Sequence, residues 1–261
     1  MRQVAALYDV HGNLPALEAT LDAVDAAGAD GIVVGGDVAL GPMPRETLER
    51  LLAVGPRARF IRGNCDRLVV DAFDGRPLTR LPPAIREPIA WTARQLDRSH
   101  RDFLAALPAT LVVDVAGVGG VLFCHASPRS DEEIVTAVTP AERVRPMLAG
   151  VTESLVVCGH THMQFDRAVE GLPGVRLVNA GSVGMPYGRP GAYWLLLGPD
   201  VRPMRTEYDL GRAAALVRRT SYPQAAEFAA RHVLHPDSEE EALRVLEPPP
   251  AGTPRAPGLS P

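Results

Sequence analysis

VAALYDVHGN, residues 4–13, is an apolar run that breaks at Asp9 into a histidine, a glycine and an asparagine. A short continuous apolar segment reads as a buried strand, and polar residues at its end lie where the strand hands over to a loop. The next stretch, LPALEATLDAVDAAG (14–28), spaces Leu14, Leu17, Leu21 and Val24 at helical intervals and ends on Gly28, a helix stop. The pattern then recurs. GIVVGGDV (31–38) stays apolar up to two glycines and Asp37, RETLERLLAVG (45–55) is helical, and ARFIRGNCD (58–66) closes on Asn64 and Cys65. Strands that each end in Gly, Asp, Asn or His and give way to helices or loops predict an α/β sheet, with ligands gathered beyond the carboxyl ends of its strands.

Residues 77–108 depart from this rhythm. They read as one or two helices between prolines, either an excursion over one edge of the site or a packing pair that never meets substrate. TLVVDVAG and GVLFCHASPRS, within 110–130, predict a hairpin that ends at His125. Further strands are expected in 154–162, 175–184 and 192–198, with 201–209 pairing to the last, and a helical stretch over 211–234. One domain over 1–235 accounts for all of these elements. The Pro-rich EPPPAGTPRAPGLSP (247–261) has too little apolar surface to order itself and is expected to be a disordered tail.

Composition narrows the function classes. Hydrophobic residues at 46% and charged residues at 22% describe an ordinary globular chain. A net charge of −4, with every one of the 27 basic residues an arginine, argues against a broad nucleic-acid or anionic-membrane footprint. A small substrate fits this balance better. Cys65, Cys124 and Cys158 contain no CxxC, so neither a disulfide framework nor a zinc ribbon is indicated, and a reducing cytoplasm is the expected setting. The opening MRQVAALYDVHGN is too briefly apolar for a signal peptide, and no run approaches the ~20 residues of a membrane span.

The predicted strand ends collect Asp9 and His11, Asp37, Asn64, His125, and the closely spaced pair His160 and His162 in CGHTH (158–162). Residues i and i+2 of a strand point to the same side, so the two histidines are expected to converge if the strand continues through them. Hard oxygen and borderline nitrogen donors together suit Mn, Fe, Zn, Co or Ni. Seven candidate ligands exceed the needs of one tetrahedral ion and match two ions sharing a carboxylate.

The ordered series DVHGN (9–13), GGDVALGP (35–42), GNCD (63–66), FCHASPR (123–129), CGHTH (158–162) and NAGSVGMP (179–186) resembles the calcineurin-like metallophosphoesterase superfamily, and within it the compact prokaryotic phosphodiesterase-like branch. The resemblance runs from about residue 3 to 209. It implies a four-layered αββα sandwich, and a metal-dependent hydrolase of phosphate esters in which two divalent ions, manganese foremost, activate a hydroxide. The substrate would be a small phosphorylated molecule such as a nucleotide, as diester or monoester. One ion would be held by Asp9, His11, Asp37 and His162, the other by Asp37, Asn64, His125 and His160, with Asp37, Asn64 and His125 acting in catalysis. Asn13, Cys65, Arg129 and Arg189 are the candidates for substrate contact or for orienting the ligands. Many relatives carry a histidine where this chain has Cys65, which puts imidazole help to the leaving group in doubt. The alternative is a metal-binding scaffold that recruits partners and hydrolyses weakly or not at all.

Overall fold

The computed structural model of the protein describes residues 1–247; apart from Glu247, the expected tail over 247–261 lies outside them. In chain order the first half runs β1 (Val4–Leu7), α1 (Leu14–Ala26), β2 (Gly31–Val34), α2 (Pro44–Leu52), β3 (Ala58–Phe60), α3 (Asn64–Phe73), α4 (Pro83–Gln95) and α5 (Arg98–Ala106). Then follow β4 (Thr110–Val115), β5 (Gly119–Cys124), α6 (Ala141–Met147), β6 (Leu155–Cys158), β7 (Phe165–Ala168) and β8 (Arg176–Asn179). The chain closes with β9 (Ala192–Leu197), β10 (Val201–Thr206), α7 (Leu210–Arg218), α8 (Ala225–Phe228), a π-helical segment (Ala229–Leu234) and α9 (Glu239–Leu246).

The strands form two five-stranded mixed sheets, ordered β10-β9-β1-β2-β3 and β4-β5-β6-β8-β7. In the first, β1, β2 and β3 are parallel and β9 is antiparallel to β1; in the second, β5, β6 and β8 are parallel. Alternation along β1 assigns its faces, because successive side chains of a strand point to opposite sides. Val4, Ala6 and Tyr8 turn inward, where with Val33, Leu195 and Leu197 they meet Val121, Phe123, Leu155, Val157 and Val178 of the second sheet. Ala5 and Leu7 turn outward into a core completed by Leu17 and Leu21 of α1, Leu48 and Leu51 of α2, Val69 of α3, Ile89 of α4 and Leu104 of α5. On the far side, Val144 and Met147 of α6 cover Leu122, Val156 and Leu177. Helix, sheet, sheet and helix are thus the four layers of the expected sandwich.

The helices expected between 77 and 108 are α4 and α5, packed on the outer face of the first sheet. Three elements were not anticipated. Strand β7 (FDRA) has only four residues, helix α6 carries Pro146 in its interior, and α9 follows a second proline-bearing loop. The expected helix over 211–234 is interrupted after α7, at the Thr220–Gln224 turn that contains Pro223, because proline lacks the N–H that would continue it. Among the described residues no helix is long and apolar enough to cross a membrane.

Phe123→Ala should destabilise the protein by about 3–5 kcal/mol, since it opens a cavity between the two sheets. Val245→Ala, at a position 79% exposed on α9, should stay within about 0.5 kcal/mol. Denaturant midpoints of both variants check the pair.

Candidate metal centre

Among the described residues, those with a Cβ and left-handed backbone are Asp9 (φ 54°), His11 (48°), Asp37 (54°), His160 (65°) and His162 (60°). All five belong to the predicted ligand set. Asp9 and His11 follow β1, Asp37 follows β2, and the two histidines follow β6. The last pair corrects the reading that a continuing strand brings them together. Strand β6 stops at Cys158, and two left-handed residues in the loop, not pleat alternation, aim both rings at the centre. Gly159 permits this approach, since a Cβ there would come within 2.6 Å of Asp9 Oδ2. In its place the His160 N–H donates to that oxygen at 2.9 Å.

The donors fall into two adjoining groups, Asp9 with His11 and His162, and Asp37 with His125 and His160. His162 Nε2 lies 3.3 Å from Asp9 Oδ1, and Asp37 Oδ2 stands between His125 Nε2 at 3.4 Å and His11 Nε2 at 3.8 Å. Asn64 Oδ1 approaches His125 Nε2 at 3.1 Å. The structure therefore brings all seven predicted ligands to one place, beyond the carboxyl ends of strands from both sheets.

Backbone carbonyls set the direction of three rings. Nδ1 of His11 faces Leu40 O at 3.1 Å, that of His125 faces Gly35 O at 2.9 Å, and that of His162 faces Met185 O at 2.8 Å. A carbonyl can only accept, so each Nδ1 carries the proton and each Nε2 is left to face inward. This is the orientation a metal-binding imidazole needs.

Asp66 escaped sequence reading although it closes the quoted GNCD. Its buried carboxylate accepts from the N–H groups of Asp37 (2.8 Å), Val38 (3.0 Å) and Gly63 (3.1 Å), and so fixes the loops that carry Asp37 and Asn64. Asn179 was missed in the same way. Its amide donates to Gly159 O at 2.6 Å and to Thr161 Oγ1 at 3.1 Å, which ties down the CGHTH loop. A sequence signal existed only for Asp66, at the third position of helix α3, where a carboxylate reaches back to the N-cap.

A divalent cation fits this donor set. Asp9 Oδ1 is buried with no hydrogen-bond partner, and the Nε2 atoms of His162, His11 and His125 surround it at 3.3, 3.9 and 3.9 Å. An unpaired buried carboxylate oxygen is costly, and a cation removes the cost. With protons alone, burial pulls His162 down but the Asp9 carboxylate outweighs it and raises that ring, and the balance falls most heavily on His125. Burial pulls its imidazolium down, but the Asp37 and Asp9 carboxylates outweigh that and push it up to about 10. Burial also works to raise the Asp37 carboxyl, and the facing His125 and His11 hold it below the usual carboxylate range.

The remaining candidates are placed differently. Cys65 sits beside Asp37, donating its N–H to Oδ1 at 2.8 Å, and burial, then the Asp37 charge, keep its thiol protonated. Asn13 is fully buried; it accepts from Ala16 N as the cap of α1 and donates to Gly184 O at 2.9 Å. Arg129 is engaged by Glu133 and Pro146 O but lines a cavity with His125. Arg189 pairs with Glu207 on the surface and is not brought to the centre.

The cover over the centre comes from the C-terminal helices, which the sequence did not assign to this task. Phe228, Val233 and Tyr222 pack with Met43 and Met185, residues of the loops that follow Asp37 and Ser182. His232, on the π-helical segment, is held down to about 3 by burial and then by the charges of His162 and His11.

Two stacked mixed sheets with buried carboxylates and imidazoles at their joined carboxyl ends, together with the match to a calcineurin-like phosphoesterase domain, make the protein a metallophosphoesterase, a hydrolase of phosphoric ester bonds. The chain belongs to the calcineurin-like phosphoesterase superfamily, whose domain profile matches residues 2–198. It is 26% identical over 238 residues to the uncharacterized protein MJ0912 of Methanocaldococcus jannaschii, covering 85% of this chain and 94% of that one. Among solved structures it is similar to a metallophosphoesterase from Sphaerobacter thermophilus, with 28% identity, a TM-score of 0.68, and coverage of 88% of this chain and 98% of the other. Protein PH1004 from Pyrococcus horikoshii OT3 shares the fold at a TM-score of 0.75 and 22% identity, with the same coverage.

Asp66→Ala should destabilise the protein by about 2–4 kcal/mol, because it strands several buried N–H groups, and should lower the metal bound per chain; thermal melting and elemental analysis check both. Metal uptake near pH 7 should release at least one proton, since the facing carboxylates raise both His125 and His162 and a cation displaces what they carry. The apparent affinity should then rise at least about tenfold per pH unit over the accessible range, flattening only as pH nears the His125 value. Calorimetry in buffers of different ionisation enthalpy measures that release, and a heat independent of buffer would contradict the assignment.

Proposed function

We propose that the protein hydrolyses small phosphate esters, as a phosphodiesterase or a nucleotide phosphomonoesterase, with two divalent ions of which manganese is the leading candidate. The observation that carries this reading is that, among the described residues with a Cβ, left-handed backbone falls on five members of the ligand set. We assign Asp9, His11, Asp37 and His162 to one ion and Asp37, Asn64, His125 and His160 to the other, so that His160 and His162 serve different ions. Ring pairing supports the division, with centroids 5.0 Å apart for His11 and His162 and 5.1 Å for His125 and His160. The chemistry such ions would supply when bound is a pKa for water at the centre lowered toward ~7 and positive charge against the phosphoryl oxygens.

The chain's own residues do the rest. Asp37 Oδ2 faces His125 and His11 at once, which supports its membership of both ligand sets. Asn64 turns its carbonyl oxygen toward His125 Nε2, and its amide, which also donates to Cys65 Sγ at 3.7 Å, would donate to a phosphoryl oxygen. Cys65 stays a neutral thiol, so it brings no anion to repel the substrate. Asn13 acts as a positioning residue through Gly184. The C-terminal cover narrows the approach, which favours a small substrate over a polymer. The three cysteines are free, and we place the protein in the cytoplasm.

Metal-stripped protein resupplied with Mn should hydrolyse a chromogenic diester or members of a nucleoside monophosphate panel. Asp37→Ala and His160→Ala should each lose at least about 100-fold in kcat, more than an outer-shell change costs. The preferred substrate separates diester from monoester activity. Two bound ions per chain with no turnover on any substrate would overturn the hydrolase reading in favour of a scaffold.

A further inference from the structure

Beside His125, on the flank away from His11 and His162, lies a cavity of about 230 Å³ whose wall includes Arg62, Arg67, Arg129, Ser127 and Asp131. Its three arginines are not equivalent. Arg67 is spent on carboxylates, donating through Nε and Nη2 to Asp131 at 2.9 and 3.0 Å and through Nη2 to Glu132 at 2.6 Å. Arg129 is held by Glu133 and donates to Pro146 O at 3.0 Å. Arg62 has no such partner among the described residues. Its main-chain N–H donates to Pro108 O at 2.9 Å, which fixes the loop, while its Nε is buried and makes no hydrogen bond. The nearby Asp131, the acceptor it would otherwise take, is already occupied by both donors of Arg67.

A guanidinium that lines a cavity with no carboxylate hydrogen-bonded to it keeps its charge for a ligand that enters. Guanidinium presents a rigid fork that matches the oxygens of a phosphate. Arg62 stands two residues before Asn64 on one loop, and His125 belongs to both the cavity and the proposed metal centre. An anion in this cavity would therefore sit next to the group being hydrolysed.

We propose that this cavity is a subsite for a second phosphate of the substrate, with Arg62 as its receptor. The assignment rests on the phosphoesterase reading of the adjoining centre and deepens it. The substrate class becomes esters that carry a further phosphate beside the scissile one, such as nucleoside bisphosphates. Arg67 and Arg129, already neutralised, shape the wall and leave the charge selectivity to Arg62.

The test compares adenosine 3′,5′-bisphosphate with AMP in the Mn-loaded protein and in Arg62→Gln and Arg62→Lys. The ratio of kcat/KM for the bisphosphate to that for AMP should fall about tenfold in Arg62→Gln, the loss of one charge-assisted interaction, and less in Arg62→Lys, which keeps the charge without the fork. A ratio unchanged within about twofold in Arg62→Gln would overturn the subsite. Calorimetric titration of pyrophosphate into metal-free protein with chelator present gives a reading that needs no turnover, and Arg62→Gln should weaken it about tenfold. If neither of these two esters nor the chromogenic diester is hydrolysed yet pyrophosphate binding depends on Arg62, the hydrolase reading fails while the anion subsite stands. If both esters are hydrolysed and neither the ratio nor the pyrophosphate affinity responds to Arg62, the subsite fails and the hydrolase stands.

Discussion

Left-handed backbone at Asp9, His11, Asp37, His160 and His162 costs roughly 1–2 kcal/mol at each residue, and the loops tolerate it because the two sheets hold them from several sides. Asp9 N–H donates to Gly36 O at 3.1 Å, and His11 N–H to Asp37 O at 2.9 Å, so the first two ligand loops run side by side. Gly159 N–H donates to His125 O at 2.8 Å and joins the loops of the second sheet in the same manner. Between the sheets, His160 N–H reaches Asp9 Oδ2, while the Ser182 hydroxyl and Gly184 N–H both donate to Asp9 O. Each strained residue is thus fixed by neighbours that are themselves fixed, and the strain is stored where side chains must converge.

The same convergence creates an electrostatic problem that only part of the chain can answer. Two buried carboxylates share a space with four imidazoles, and the carbonyls that anchor three Nδ1 protons leave the inward nitrogens without donors unless they take up further protons. An imidazolium at His125 relieves Asp37, while Asp9 raises His162 against burial yet its Oδ1, 3.3 Å from that ring, still lacks a hydrogen bond. Positive charge delivered as ions rather than protons satisfies both oxygens and all the nitrogens together. The affinity of the site for cations is in this sense a consequence of how completely the fold has desolvated it.

How far this was legible follows from what each residue interacts with. Strand β1 could be read as buried because residues 4–8 are apolar throughout and both of its faces meet a core, and the ligands could be read because they sit where apolar runs stop. Strand β7 stayed hidden since FDRA offers one large apolar residue, and α6 since Pro146 argues against a helix whose short turn it nonetheless permits. Asn179 ties a loop through Gly159 O and Thr161 Oγ1, so no spacing in the sequence points to it, and Asp66 is marked only by its place in the first turn of α3. His160 and His162 show the opposite case: the expectation that they converge held, while the pleat that suggested it ends before either residue.

Tyr8 explains why the two sheets meet at the right offset for a shared site. Sequence reading makes it one more apolar strand residue, but its ring lies in the core between the sheets, and its hydroxyl donates to Val157 O at 3.1 Å. Burial, then Cys124 and Cys158, raise its phenol well above the ordinary value, so this donor keeps its proton. The ring also fills the space that a side chain on Gly35 would need, with Cε1 2.0 Å from where that Cβ would be, and it presses on Gly159 from the same position. Gly35 leads into Asp37 and Gly159 into His160, so one aromatic ring spaces the ligand loops of both sheets. Asp9 follows it directly in the chain. The distance between the two groups of ligands is therefore set by the packing of the inter-sheet core, and a change in that packing reaches the centre through Tyr8 before it reaches any ligand.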